Sequence, residues 1–152
     1  MPAEIGKPAP DFNLPDGENK RRSLADVKGD KTLIVFIPFP FTGICQAELC
    51  QIRDDLGSLE SLGAKVAVIT CAARNINAKW AEEQGFTFPI LSDYWPHGAT
   101  AQAYGSFNEQ VGAAWRHTFV LDSNGVVRAI VKTDELGKAR EYDEYKKALS
   151  AI

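Results

Sequence analysis

The chain has 152 residues, 45% hydrophobic and 24% charged, with 17 Lys+Arg against 20 Asp+Glu for a formal net charge of -3. A chain of this length is expected to fold as one domain over residues 1–152, and no apolar run approaches the roughly 18 residues that cross a bilayer. The Met-Pro-Ala-Glu start lacks the apolar core of a secretory signal and the acidic balance offers no basic footprint, so a soluble cytoplasmic protein with neither membrane nor nucleic-acid partners is expected.

Pro8, Pro10 and Pro15 keep the opening segment irregular apart from one short strand around Phe12. The single basic cluster, Lys20-Arg21-Arg22, is flanked by Asp16, Glu18 and Asp26. Thr32 to Ile37 (TLIVFI), Lys65 to Thr70 (KVAVIT) and His117 to Leu121 (HTFVL) read as buried strands, being short, β-branched and bounded by turn residues. Val126 to Lys132 reads as another. The Asn124-Gly125 step before it suits the positive backbone angles of a tight hairpin, so these last two strands are expected to be antiparallel. Between the strands, Cys45, Leu49, Ile52, Leu56 and Leu59 recur at intervals of four, three, four and three, which marks one helical stripe. A second helix is expected from an Asn75 cap through Gln84, ended by Gly85, and a third over Glu141 to Ala151. Strands alternating with helices, then a hairpin and a last helix, imply an α/β sandwich with a mixed central sheet flanked by helices.

Three cysteines in a chain without a signal do not make a disulfide framework. Cys45 has the most informative setting, at the end of Pro38-Phe39-Pro40-Phe41-Thr42-Gly43-Ile44-Cys45. This segment joins the carboxyl end of a buried strand to a helix start, where open α/β folds place their sites. In the first helical turn, unpaired amides and the positive end of the helix dipole favour an anion, and the thiolate is the nucleophilic form of cysteine. Thr42 can offer its hydroxyl to a bound oxygen or to the sulfur. The bland alternative is a small core residue on an apolar stripe.

Pro38, Thr42 and Cys45 match the Pro-x-x-x-Thr-x-x-Cys signature, and the chain resembles the peroxiredoxins. Arg116 in Trp115-Arg116-His117-Thr118-Phe119-Val120-Leu121-Asp122 is similar to the family's second site element, Phe88-Pro89-Ile90-Leu91-Ser92-Asp93 with Tyr104-Gly105 to its middle region, and Ala9-Pro10-Asp11-Phe12 to its opening. Phe41 to Gln46 and Leu91 to Gly98 are most similar to the AhpE branch. The resemblance implies a thioredoxin-like fold, a homodimer, no cofactor, and reduction of hydrogen peroxide or organic hydroperoxides. In this scheme Cys45 attacks the peroxide, Arg116 holds the thiolate and the moving charge, Thr42 and the amides near Ile44 and Cys45 donate to the reacting oxygens, and Pro38 excludes water. Glu48, one turn after Cys45, either orients Arg116 or is a solvated helix carboxylate.

Cys50 lies five residues after Cys45 on the same expected helix. On intact helix the two sulfurs point about 140° apart with Cα atoms roughly 8 to 9 Å from each other, whereas a disulfide needs them within about 7 Å. Gln46, Cys50, Arg53 and Gly57 form a mostly polar face, which makes Cys50 a plausible accessible thiol rather than a core residue. The spacing resembles the PrxQ branch, which implies that Cys50 resolves the oxidised Cys45 once the helix start unwinds, with thioredoxin as reductant. The alternative is a bystander Cys50 and recycling by a glutaredoxin-like protein or a low-molecular-weight thiol. A general thiol:disulfide oxidoreductase lacks its Cys-x-x-Cys here, and a redox sensor or chaperone finds no partner motif. Cys71 reads as a packing residue, Trp80, Trp95 and Trp115 likewise, and His97 as a loop residue. No metal is expected, because Cys45-x4-Cys50 has no second Cys or His pair.

Overall fold

The computed structural model describes residues 2–152. Near the N-terminus β1 (Asn13–Pro15) and β2 (Arg21–Ser23) form an antiparallel hairpin, where only one strand around Phe12 was expected. The basic cluster is tied into it, with Arg22 Nε 3.0 Å from Asp16 Oδ2. Helix α1 (Leu24–Val27) follows, opened by a reciprocal capping box between Ser23 and Asp26.

The central sheet begins with β3 (Lys31–Ile37), which leads through a proline-containing loop into α2 (Gly43–Asp54) and α3 (Leu56–Ser61). The apolar spacing predicts a single helix through Leu59, yet the helix breaks at Asp55. Leu59 stays buried across the break, so the stripe continues while the backbone does not. β4 (Ala64–Thr70) and α4 (Arg74–Gln84) come next. The N-cap of α4 is Ala73 rather than Asn75, and Gly85 ends it in the left-handed region at φ 69. β5 (Ile90–Ser92), α5 (Ala99–Ala103) and a small ladder of β6 (Phe107–Asn108) with β7 (Ala113–Ala114) precede the closing hairpin. That hairpin is β8 (His117–Leu121) with β9 (Val127–Lys132), and the final helix α6 (Asp143–Ser150) starts two residues later than expected. Only Gly125 of the Asn-Gly step takes a positive φ, and a bulge at Val120/Leu121 adjusts the register.

The strand order is β5-β4-β3-β8-β9, with β3, β4 and β5 parallel and β8 and β9 antiparallel, a thioredoxin-like mixed sheet. Side chains alternate across β3, so its continuous apolar run serves two cores. Leu33, Val35 and Ile37 pack with Leu49, Ile52, Trp80 and Leu149 on the face covered by α2, α4 and α6. Ile34 and Phe36 pack with Phe12, Leu24, Ala101, Tyr104 and Phe119 on the other. The register Ile37↔Thr70 brings the loop after β3 and the Cys71 segment after β4 to one sheet edge. Among the described residues no helix is long and apolar enough to cross a membrane.

Candidate functional site

At the end of β3, Pro38 is buried while Phe39 and Phe41 are exposed. Phe41 has φ 64, a left-handed conformation that costs a residue with a side chain of its own about 1–2 kcal/mol. Strain of that kind persists where the surrounding structure demands it. Thr42 is the N-cap residue of α2, and Cys45 falls in the first turn, as the sequence predicts. The Thr42 hydroxyl does not cap the helix; it donates to the Phe39 carbonyl at 2.7 Å. The first helical bond runs from Gln46 N to the Thr42 carbonyl at 2.8 Å, so the amides of Gly43, Ile44 and Cys45 precede the intrahelical ladder.

Cys45 is fully buried, and Arg116 Nη1 donates to its Sγ at 3.1 Å. The same nitrogen lies 2.8 Å from Glu48 Oε1, and Arg116 Nε donates to the Leu136 carbonyl at 2.6 Å. Glu48 is therefore a buried partner of Arg116 and not a solvated helix carboxylate. A second cation, Arg140, grips it from the other side with Nη2 2.8 Å from Oε1 and Nε 2.9 Å from Oε2. Burial pushes the Glu48 carboxyl up, but the hydrogen bonds and charge of Arg140, with Arg116 behind it, hold it below the usual carboxylate range.

Two guanidiniums thus face one carboxylate in a water-poor cluster. The charges balance when Cys45 is a thiolate, and an uncompensated buried charge is costly. Arg140 was not found by reading the sequence. The available signal was Glu48 itself, which shares the stripe of Cys45, Leu49 and Ile52; a carboxylate there needs more positive charge than Arg116 supplies.

Cys50 departs from its expectation of a polar, accessible face. It is half-buried against the core, with Sγ 3.7 Å from Gln84 Oε1. The face that carries it packs on α4: Trp80 Nε1 donates to Gln46 Oε1 at 3.1 Å, and Arg53 Nη1 to the Gln84 carbonyl at 2.6 Å. Cys71 is buried, and burial together with the Asp93 carboxylate pushes its thiol up to about 12, which keeps it protonated. Trp80 is a core residue, whereas Trp95 is 80% exposed, contrary to the packing role expected of it. His97 sits in an exposed loop with its ring nitrogens 3.2 Å from the Tyr94 carbonyl and 2.7 Å from that of Gly112.

The sequence matches the AhpC/TSA family over residues 5–130. It is 44% identical over 149 residues to alkyl hydroperoxide reductase E of Mycobacterium tuberculosis, covering 97% of each chain. It is 31% identical over 160 residues to peroxiredoxin-2 of Rattus norvegicus, covering 99% of this chain and 79% of that protein. Among solved structures, Enterococcus faecalis AhpC aligns with a TM-score of 0.86 at 26% identity, over 99% of this chain and 92% of that one. Peroxidoxin BcpB from Mycobacterium tuberculosis aligns at 0.84 and 26% identity, over 97% and 95%.

Proposed function

Because the chain belongs to the AhpC/TSA family, as a peroxiredoxin of the AhpE-like branch and so a thiol-dependent peroxidase, we propose that Cys45 is its peroxidatic residue. The observation that carries this reading is Arg116 Nη1 at 3.1 Å from Cys45 Sγ, in a cluster whose charges balance with a thiolate. The sulfur attacks the terminal oxygen of a hydroperoxide. An S–O bond forms as the O–O bond breaks, and the proton of the attacked oxygen passes to the departing one. The products are an alcohol, or water from hydrogen peroxide, and a sulfenate that protonates to sulfenic acid.

Arg116 stabilises negative charge as it moves from sulfur to oxygen, and its planar fork serves the sulfur and Glu48 from one nitrogen. The amides of Ile44 and Cys45 donate to the reacting oxygens, joined by Thr42 once its hydroxyl turns from the Phe39 carbonyl. Pro38 walls the site against water, and Glu48 orients Arg116. Cys45 has no exposed surface, so peroxide enters as the Phe39 to Thr42 loop yields. The exposed rings of Phe39 and Phe41 on that loop suit an alkyl hydroperoxide, the substrate named for the 44% identical relative. Measuring consumption of hydrogen peroxide and an alkyl hydroperoxide tests the assignment: Cys45→Ser is expected to abolish both, and activity surviving in that variant removes it.

For the second half of the cycle, Cys50 is the proposed resolving thiol, condensing with the sulfenic acid to a disulfide and water, with thioredoxin as reductant. Helix α2 is continuous from Cys45 to Cys50, so the step requires its first turn to unwind. The half-buried contact of Cys50 with Gln84 favours the second reading, recycling by a glutaredoxin-like protein or a low-molecular-weight thiol. Three free cysteines accord with a reducing, cytoplasmic setting. The exposed apolar side chains of Phe39 and Phe41, on the loop that leads to Cys45, support a homodimer formed beside the site.

A further inference from the structure

We propose that Tyr145 and Thr118 are positioning residues for Cys45, acting through Arg140 and Glu48 on the guanidinium that touches the sulfur. The proposal rests on the reading of Cys45 as the reacting thiol. Tyr145 OH lies 2.8 Å from Thr118 Oγ1, and Arg140 Nη1 donates to that same oxygen at 3.2 Å and to the Phe36 carbonyl at 2.7 Å. From Arg140 the contacts run on to Glu48, Arg116 and Cys45, each step between 2.8 and 3.1 Å.

Donor accounting gives the phenol a task beyond filling space. Arginine has only donors, so Thr118 Oγ1 must aim a lone pair at Arg140. The Tyr145 phenol is the other partner of that hydroxyl and, whichever of the two oxygens donates, it holds the threonine oxygen in place beside Arg140's hydrogen bond. Relative exposure is 3% at Tyr145, 0% at Thr118, 6% at Arg140, 8% at Glu48 and 4% at Arg116, so little water can replace a missing partner. Tyr145 belongs to α6, which is itself fastened to the body of the fold. Tyr142 OH donates to Asp55 Oδ2 at 2.7 Å, Lys146 pairs with the same oxygen at 3.0 Å, and Lys31 Nζ donates to the Leu149 carbonyl at 2.6 Å. The C-terminal helix is thereby connected to the chemistry without contacting substrate.

The test compares Tyr145→Phe, Thr118→Val and Thr118→Ser by three measurements: the pH profile of iodoacetamide alkylation at Cys45, resolved by peptide mass; the rate of peroxide consumption; and the urea midpoint. Tyr145→Phe and Thr118→Val are expected to slow peroxide consumption about three- to tenfold, in the range of one lost hydrogen bond. Both slow alkylation of Cys45 across the profile, and Thr118→Ser restores rate and profile together. Should Tyr145→Phe fail to fold, the Thr118 pair carries the test alone. Lowered urea midpoints with unchanged alkylation and peroxide rate would make the two residues merely structural and overturn the proposal. Failure of the underlying reading looks different, because wild-type protein would go on consuming peroxide after complete alkylation of Cys45.

Discussion

Arg140 closes on Glu48 at three points: its backbone N and its Nε both lie 2.9 Å from Oε2, and its Nη2 lies 2.8 Å from Oε1. Without Arg140, the Arg116 guanidinium alone would face two buried anions, Glu48 and the Cys45 thiolate, and one uncompensated buried charge costs about 3–5 kcal/mol. Arg140→Met is therefore expected to lower stability by about that amount in urea unfolding and to slow peroxide reduction. The double variant Glu48→Gln/Arg140→Met regains part of the stability but not the rate. Equal stability of the single and double variants would refute the stranded-charge account.

Arg116→Lys keeps a positive charge but loses the fork that reaches Cys45 Sγ, Glu48 Oε1 and the Leu136 carbonyl together. The second-order rate with peroxide is expected to fall about 10²- to 10³-fold, the usual effect of losing one donor at a site of developing charge. A loss below tenfold in stopped-flow measurements would show that charge without geometry suffices.

If Cys50 resolves, one equivalent of peroxide yields a Cys45 to Cys50 disulfide in the wild type, seen by peptide mass mapping. Cys50→Ser instead accumulates sulfenic acid on Cys45 that dimedone traps. A wild-type protein that gives the same dimedone adduct, with Cys50 still reduced, eliminates the intramolecular step and leaves an external thiol as the resolving partner.

Acid should weaken the fold through His117. Burial is the main cause that lowers this imidazole from 6.5 to about 4; Lys132 and Arg140 act in the same direction and Asp134 against it. Between those two values the unfolded chain binds a proton that the native state refuses, so stability present at neutral pH is lost as pH falls from 6.5 towards 4. The ring is buried, with Nε2 shielded from water, and the loss between pH 7 and pH 4.5 is about 2 kcal/mol. Glu48, held below its ordinary 4.5, also contributes stability above that value, which is lost as pH falls through its lower native range. Urea unfolding at pH 7 and pH 4.5 should show the first loss in the wild type and not in His117→Asn. An equal loss in the variant removes His117 as the cause.

The β3, β4, β8 and β9 strands were legible because burial on both faces leaves runs such as TLIVFI with no polar alternation to confuse. Cys45 was legible because Pro38, Pro40 and Gly43 mark an unusual strand-to-helix loop before it. Arg140 was not, since it lies in an aperiodic stretch, Gly137 to Glu141, whose charges resemble a solvated surface and whose partner is 92 residues away in sequence. The break at Asp55 escaped because apolar spacing reports which face is buried, and Leu59 remains buried on either side of a kink. Cys50 was misjudged because Gln46 and Arg53, polar by type, spend their polar groups on α4 and not on water.

The Trp80 indole N–H rests on Gln46, one residue after Cys45, and its ring centre lies 6.1 Å from that of Phe41 in the loop before it. Of the three tryptophans it is the fully buried one. A fluorophore thus spans the segment that must rearrange whenever the first turn of α2 unwinds. Unwinding would release the indole from both contacts and change its emission, giving the protein a built-in optical signal of its own redox cycle. Trp80→Phe, with Trp95 and Trp115 left in place, should silence that signal.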